Sequence, residues 1–359
     1  MEEFIDEREV KTAANKCPKC GAELKYDIET GNLRCEHCGQ TVDLDDGGAV
    51  TRRAMTDEIT KSHEQWKDGA VFRCENCGAK GVLDKTALSK HCAFCGSSHI
   101  VSTHELAGIK PDSVIPFQIT KQSARERFLK WLRSKFFAPG KLKRIDKDEQ
   151  FNAIYSSSWS FSANTATKYN GTLGRRETRT RTVNGRTQTT STIRYFRVSG
   201  DIQQNYRDFF VQSGDRINAK TFDKLKPFNL SFLKVYRQEY LAGIVAEHYS
   251  RTIDVCFNDF TNFIRRDLRN KIMRKHNADV VQSLNLNTTY NDKAFNYVLL
   301  PVYIANYTWN KRLYNFHVNG TNGKVVGKYP KSGWKIFFTI LGAAAIIGAV
   351  AAAILLLRK

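Results

Sequence analysis

The 359-residue chain is 41% hydrophobic and carries 56 Lys and Arg against 36 Asp and Glu, which supports packed cores in two or three folded units and excludes a chain held open by its own composition. Nine cysteines would suggest disulfides in a secreted protein, but the acidic start Met1-Glu-Glu-Phe-Ile-Asp-Glu7 lacks the apolar stretch of a leader peptide, so reduced thiols and a cytosolic setting are expected. The charge is unevenly placed: residues 1–110 hold 15 basic and 19 acidic side chains, residues 111–330 hold 37 and 17, and the last 29 residues hold four and none.

The cysteines come first in the chain. Cys17-Pro-Lys-Cys20 is followed after 14 residues by Cys35-Glu-His-Cys38, and Cys74-Glu-Asn-Cys77 after 14 residues by Cys92-Ala-Phe-Cys95. A repeated spacing of this kind predicts two zinc ribbons, each pair of knuckles giving four thiolates to one tetrahedral zinc at about 2.3 Å. Gly21, Gly39, Gly78 and Gly96 follow the second cysteine of each knuckle, where a tight turn lets backbone amides approach the sulfurs. Four sulfurs close the site to water, so the two zinc ions are expected to be structural and not catalytic. Binding on the order of 10 kcal/mol would fold segments that have little core of their own. The competing readings, a redox pair or disulfides, do not predict the repeated gap. His37 and His91 stand beside ligands but are expected to be exposed, and Cys256, alone in a helical pattern, to be a small buried hydrophobe. Ribbons bind nucleic acid in some proteins and protein in others; the acidic balance here favours protein.

The basic middle follows a short passage near residues 108–116. Residues 123–137 place Phe128, Leu129, Leu132, Phe136 and Phe137 at helical spacing before Pro139-Gly140 ends the run. Residues 154–163 read as a strand with Trp159 and Phe161 on one core face. Then Arg175, Arg176, Arg179 and Arg181 alternate with threonines up to Asn184-Gly185, and Arg186 and Arg194 follow. Asn-Gly between β-formers predicts a two-residue hairpin. This basic ribbon is a candidate anionic-surface contact. It can lie on anionic lipid or simply be solvated, and it can enter a nucleic-acid groove. Residues 240–249 and 253–273 read as helices, the second with Ile253, Phe257, Phe260, Ile264, Leu268 and Ile272 along one face. Residues 296–306, 312–318 and 324–328 alternate as a three-stranded meander.

Residues 336–357, from Ile336 to Leu357, contain no charged side chain and are flanked by Lys331 and Lys335 before and by Arg358 and Lys359 after. That is enough for a helix to cross a bilayer core of about 30 Å; a buried core helix rarely stays apolar all round for so long. Two residues follow it, as in a tail anchor. Lys324, Lys328, Lys331 and Lys335 crowd the preceding side, which puts the rest of the chain in the cytoplasm at the inner (plasma) membrane.

The expected fold is therefore two small N-terminal zinc ribbons, an α+β domain with an antiparallel β-sheet, and a single C-terminal transmembrane helix. The boundaries are residues 1–45 for the first ribbon, 46–70 for a linker, 71–108 for the second ribbon, 109–330 for the basic domain and 331–359 for the anchor. The sequence has no Gly-x-x-x-x-Gly-Lys-Ser/Thr loop, no Gly-x-Ser-x-Gly elbow and no His-Glu-x-x-His, and from residue 161 to 330 its acidic residues are thin, so no enzyme is expected.

With the ribbons and anchor, three further stretches carry a resemblance: Tyr240-Leu-Ala-Gly-Ile-Val-Ala-Glu-His-Tyr249, Leu300-Pro-Val-Tyr-Ile-Ala-Asn-Tyr307 and Phe316-His-Val-Asn-Gly-Thr-Asn-Gly-Lys-Val-Val-Gly327. Together they make the chain similar to bacterial membrane-anchored proteins containing a TFIIB-type zinc ribbon. Some members are labelled replication or primosomal helicases, but the motor motifs are missing here. The resemblance implies a link to envelope stress, with a membrane-stress partner such as phage-shock protein A or a zinc-ribbon SPFH protein, and the expected role is a membrane-anchored, cytosol-facing adaptor or scaffold. The reading weighed against it is a membrane-tethered nucleic-acid binder.

Overall fold

Short strands separated by glycine turns build the N-terminal part. In the computed structural model, which describes residues 16–44, 48–56, 65–66, 70–83, 92–95, 97–98, 100–103, 106–140, 142, 151–183, 186–310 and 312–357, β1 (Leu24–Asp27) and β2 (Asn32–Cys35) pair antiparallel. Gly31 turns between them at φ 71°, and β3 (Thr41–Val42) joins β2. β4 (Arg53–Ala54) falls in the stretch expected as linker, yet it pairs with Phe295 and Ala294 of the main sheet. β5 (Gln65–Trp66) pairs with β9 (Leu106–Ala107); between them β6 (Ala70–Cys74) pairs with both β7 (Lys80–Leu83) and β8 (Ile100–Thr103). β10 (Ser113–Val114) comes from the presumed connecting passage and is fully buried in the main sheet.

α1 (Lys121–Arg133) begins where Thr120 Oγ1 accepts from the Ser123 amide, a side-chain cap that satisfies one orphan donor. It buries Ala124, Phe128 and Leu132 and stops before Phe136 and Phe137, which the sequence reading had placed inside the helix. β11 (Phe151–Val183) and β12 (Arg186–Gln212) form one hairpin paired from Ser158↔Gln212 to Val183↔Arg186, with one register shift at Phe161/Ala163. The turn at residues 184–185 lies outside the described residues. α2 (Ala219–Leu225) and β13 (Lys234–Val235) lead to β14 (Val245–Glu247), where a helix over residues 240–249 was expected. That stretch instead forms a 3-10 turn over Gln238–Leu241 and then, past Gly243 at φ 79°, the buried strand β14, paired on one side with β11 and on the other with β7. A short apolar run buried on both faces has no period that separates strand from helix.

α3 (Ile253–Lys275) buries Ile253, Cys256, Phe260, Ile264, Leu268 and Ile272, the face read from spacing except that Cys256 is buried where Phe257 was expected; Phe257 is only partly buried. It ends in a Schellman motif: Ala278 and Asn277 donate to Met273 and Arg274, with Asn277 at φ 49°. β15 (Val280–Trp309), β16 (Arg312–Asn319) and β17 (Val325–Gly327) form the expected meander, but β15 starts well before residue 296. α4 (Gly333–Leu357) is the apolar C-terminal helix.

Among the described residues twelve strands share one sheet, β13-β10-β15-β11-β14-β7-β6-β8, with β12 on β11, β16 and β4 on β15, and β17 on β16. Because strand side chains alternate faces, Tyr155, Trp159, Phe161, Tyr297, Leu299 and Tyr303 face one core, which also takes Leu24, Tyr26, Leu33 and Cys35 of the first cysteine module. Ile154, Val298, Leu300, Val302 and Ile304 face the other core, with Phe72, Cys74, Cys92 and Phe94 of the second. Cys17 and Cys35 of the first module thus join one core and Cys74 and Cys92 of the second join the other, while β6, β7 and β8 of the second module are themselves strands of the sheet.

At one level all three long strands change course. Register shifts occur at Phe161/Ala163 and Ser162/Asn164, and Asp208 and Asp292 both take φ 50°. β-Bulges bend and twist strands in this way. Beyond this elbow β11, β12 and the first half of β15 continue as a narrow arm backed by α3, with Phe260 stacked on Phe161 (5.7 Å) and Phe263 on Phe209 (4.0 Å). β15 pairs with β11 as far as Gly174↔Val280. Past that point the hairpin is two-stranded.

Candidate metal centres and the basic arm

Three of the four cysteine knuckles are short turns closed by the same two backbone hydrogen bonds, and the fourth shows the first of them among the described residues. The Cys17, Cys35, Cys74 and Cys92 amides donate to the carbonyls of Ala22, Gln40, Ala79 and Ser97 at 2.7 to 2.9 Å. The Gly21, Gly39 and Gly78 amides donate back to Cys17, Cys35 and Cys74 at 2.8 to 2.9 Å, with φ of 73°, 75° and 71°. A side chain is strained at such φ, which is the physical reason for glycine at these three positions; Gly96 and His91 lie outside the described residues. The turns bring Cys17, Cys20, Cys35 and Cys38 into one group and Cys74, Cys77, Cys92 and Cys95 into a second, with all sulfurs of a group within 4.8 Å of one another.

Four sulfurs at about 2.3 Å from a tetrahedral ion stand about 3.8 Å apart. Cys17–Cys38 and Cys20–Cys35 are at 3.5 Å, Cys74–Cys95 at 3.7 Å and Cys77–Cys92 at 3.8 Å. All eight thiols are free, well beyond the roughly 2.05 Å of a disulfide. The residues therefore fit a closed, four-sulfur metal site twice over. Asn76 Nδ2 donates to Cys95 Sγ at 3.6 Å, an outer contact of the sort that tunes thiolate ligands. His37 is exposed and outside the group. Cys256 is fully buried, its thiol pushed up to about 12 by burial, and points at the Gln212 carbonyl.

The arginines singled out from sequence divide by role. Arg175 Nε and a terminal nitrogen donate to the carbonyls of Asn277 and His276 at 2.9 and 3.0 Å, with the guanidinium over the Phe196 ring. It caps the C-terminus of α3, where a cation meets the negative end of the helix dipole. Arg194 lies 3.7 Å from Glu177, and the Arg176 amide donates to Asp279. Arg179 and Arg181 are exposed in the two-stranded part; Arg186 pairs with Val183 at the tip. From Phe151 to Arg179 the strand runs roughly 90 Å at about 3.3 Å per residue. α4 is rooted at the Phe151 end, through Ser332 and Lys335 bonded to the turn after α1. The root of α4 and the tip of the hairpin therefore lie toward opposite ends of β11.

Two arrangements were not read from the sequence. Glu247, nearly inaccessible, accepts from Ser156 Oγ at 2.9 Å and from the Arg216 amide at 3.1 Å, and burial pushes its carboxyl up to about 7. Gln212 in turn donates to Ser156 Oγ. At the elbow a groove of about 490 Å³ is walled by Phe209, Phe222 and Phe263 and edged by Lys226, Arg265 and Arg266. Lys226 Nζ sits 4.4 Å from the Phe209 ring centre and bonds to Asp223. These residues come from β12, α2 and α3, so only tertiary structure assembles them.

Fold and site define a β-rich chain with two four-cysteine clusters near its N-terminus and one C-terminal helix, Gly333–Ile354 at mean hydropathy 2.4 and unburied, long and apolar enough to cross a membrane. No family model matches the sequence. The chain is 28% identical over 332 residues, 89% of its length and 91% of the relative's, to the uncharacterized protein YdjG of Bacillus subtilis (strain 168). No solved structure matches.

Proposed function

We propose that the chain is a membrane-anchored zinc-ribbon adaptor. Both clusters hold structural zinc, α4 spans the inner membrane with the rest of the chain in the cytoplasm, and the ribbon-bearing domain recruits a protein partner there. The resemblance to TFIIB-type zinc-ribbon membrane proteins points to a membrane-stress or SPFH-like partner and to envelope stress. The observation that carries the reading is the pair of four-sulfur groups, one joined to each core of the sheet, in a chain that ends in an apolar helix. Such sites are built to hold shape, and a rigid frame fixed to a membrane suits recruitment better than turnover.

The reading is tested by purifying the full-length chain in detergent beside a variant with Cys17, Cys20, Cys74 and Cys77 changed to Ser, and identifying co-purifying molecules by mass spectrometry and nuclease release. A coat-like or stress-related membrane protein bound only to the native form supports it. Loss of no protein from the variant refutes it.

One observation favours a second reading, nucleic-acid binding: Arg179 and Arg181 stand exposed on a two-stranded ribbon that no other strand covers among the described residues. Nucleic acid bound equally by both forms, and released steeply by salt, selects that reading.

A further inference from the structure

α1 packs firmly on the sheet, Phe128 against Phe316 at 4.9 Å and Trp131 edge-on to Tyr329 at 6.1 Å. The turn that follows it is therefore fixed to the domain. That turn is also bonded to the first residues of α4: the Ser332 amide donates to the Phe137 carbonyl at 2.8 Å, and Lys335 Nζ donates to the carbonyls of Phe136 and Ala138 at 3.0 and 2.9 Å. The Phe136 ring is 64% exposed and stands with Lys335 Nζ 5.8 Å from its centre. A lone exposed phenylalanine needs no explanation; its depth does. The apolar stretch of α4 opens at Gly333, so residues 333–335 mark the edge of the hydrocarbon. Carbonyls bonded to Lys335 sit at that same edge. Trp334, 73% exposed, is an aromatic of the kind enriched at this level; Lys130 near the end of α1 and Lys328 and Lys331 just ahead of α4 are exposed.

We infer that the turn at residues 135–138 is a second membrane-contact element: the Phe136 ring enters the boundary between headgroups and acyl chains of the bilayer that holds α4, and the neighbouring lysines take anionic phosphate headgroups. Two contacts, one helix and one aromatic turn, fix the tilt of the domain and hence the direction of the arm, which a single flexible tether would leave free. The inference rests on α4 spanning the bilayer.

The experiment places the photo-crosslinking residue p-benzoylphenylalanine at position 136 or, separately, at position 346 within the span, in the full chain reconstituted in vesicles of phosphatidylethanolamine and phosphatidylglycerol. The substitution at 136 keeps an aromatic ring at an exposed site, and retained zinc reports folding. Lipid adducts at both positions are expected, with phosphatidylglycerol enriched over its bulk share at 136 and that enrichment lost in the K130E/K328E/K331E variant. Adducts at 346 without adducts at 136 overturn the inference while leaving the span intact. Adducts at neither position overturn the span, and the inference with it. A 136 adduct whose phosphatidylglycerol share equals the bulk removes the headgroup part.

Discussion

Replacing Glu247 by Gln should make the chain more stable at neutral and alkaline pH, by an amount that grows with pH. The carboxyl lies in the sheet interior at 1% exposure, held by Ser156 Oγ and the Arg216 amide, with the charge of Asp215 acting on it as well. Its pKa is pushed up from 4.5 to about 7, burial being the main cause and the two hydrogen bonds opposing it. A raised acid pKa means the folded chain holds the proton more tightly than the unfolded one. The group's contribution is then fully present below about pH 4.5, declines as pH rises, and levels off above about pH 7. At about 1.4 kcal/mol per pKa unit the decline amounts to roughly 3 kcal/mol, of which about 1.4 kcal/mol falls between pH 6 and 8. A glutamine is neutral throughout and can still bond to Ser156. The stability difference, variant minus native, should therefore widen by about 1.4 kcal/mol from pH 6 to pH 8. Urea unfolding of the full-length chain in detergent, followed by tryptophan fluorescence at several pH values, measures it. Taking the difference cancels titrations that both chains share. A difference that stays flat or narrows with rising pH refutes the assignment of a protonated, buried Glu247.

Metal analysis of the native chain should return two zinc ions; changing Cys74 and Cys77 to Ser should leave one and loosen the main sheet, because β7 pairs directly with β14 and binding on the order of 10 kcal/mol is then missing from the fold. A methyl group at Gly81 would lie 2.5 Å from the Ala246 carbonyl oxygen and 2.8 Å from the Phe72 ring, so G81A should cost about 1–3 kcal/mol in chemical unfolding; an unchanged midpoint would show that this seam gives way easily. R175A should lower stability by roughly 1 kcal/mol through loss of the α3 cap, whereas R179A/R181A should not move the unfolding midpoint. On the nucleic-acid reading the same double variant flattens the slope of log affinity against log salt by about two; an unchanged slope in duplex-DNA titrations removes Arg179 and Arg181 from that reading.

What was legible in the sequence was local chemistry. The four knuckles announced themselves because each needs cysteine and glycine at fixed offsets, and the sulfur positions agree. The α3 face and the meander followed from period, since one face of each is buried, and the hairpin from the Asn184-Gly185 turn signal. What escaped depended on long-range pairing. Residues 245–247 follow a short apolar run with no period of its own, and become a strand only because β7 and β11 lie on either side. Ser113 and Val114 looked like connector for the same reason. Arg175 looked like its neighbours in composition; that it caps α3 depends on a residue about a hundred positions away, a relation no local pattern encodes.

The length of β11 is the feature that most changes the functional argument. Placing the basic hairpin beside the headgroups followed from its sharing a chain with an anchor, but sequence proximity says little when one strand runs from the anchor's root to the arm's far end. The cations split accordingly. Lys130, Lys328, Lys331 and Lys335 cluster at the root, within reach of a bilayer that α4 would cross. Arg179 and Arg181 stand at the end of roughly 90 Å of strand, on a ribbon whose only described neighbours are its own two strands. Screening over about 10 Å at ordinary ionic strength separates the two groups electrostatically, so they act as independent sites. A ligand for the tip must come to the arm's own position, and if α4 crosses a bilayer as proposed, the orientation at the root would decide which way that position faces.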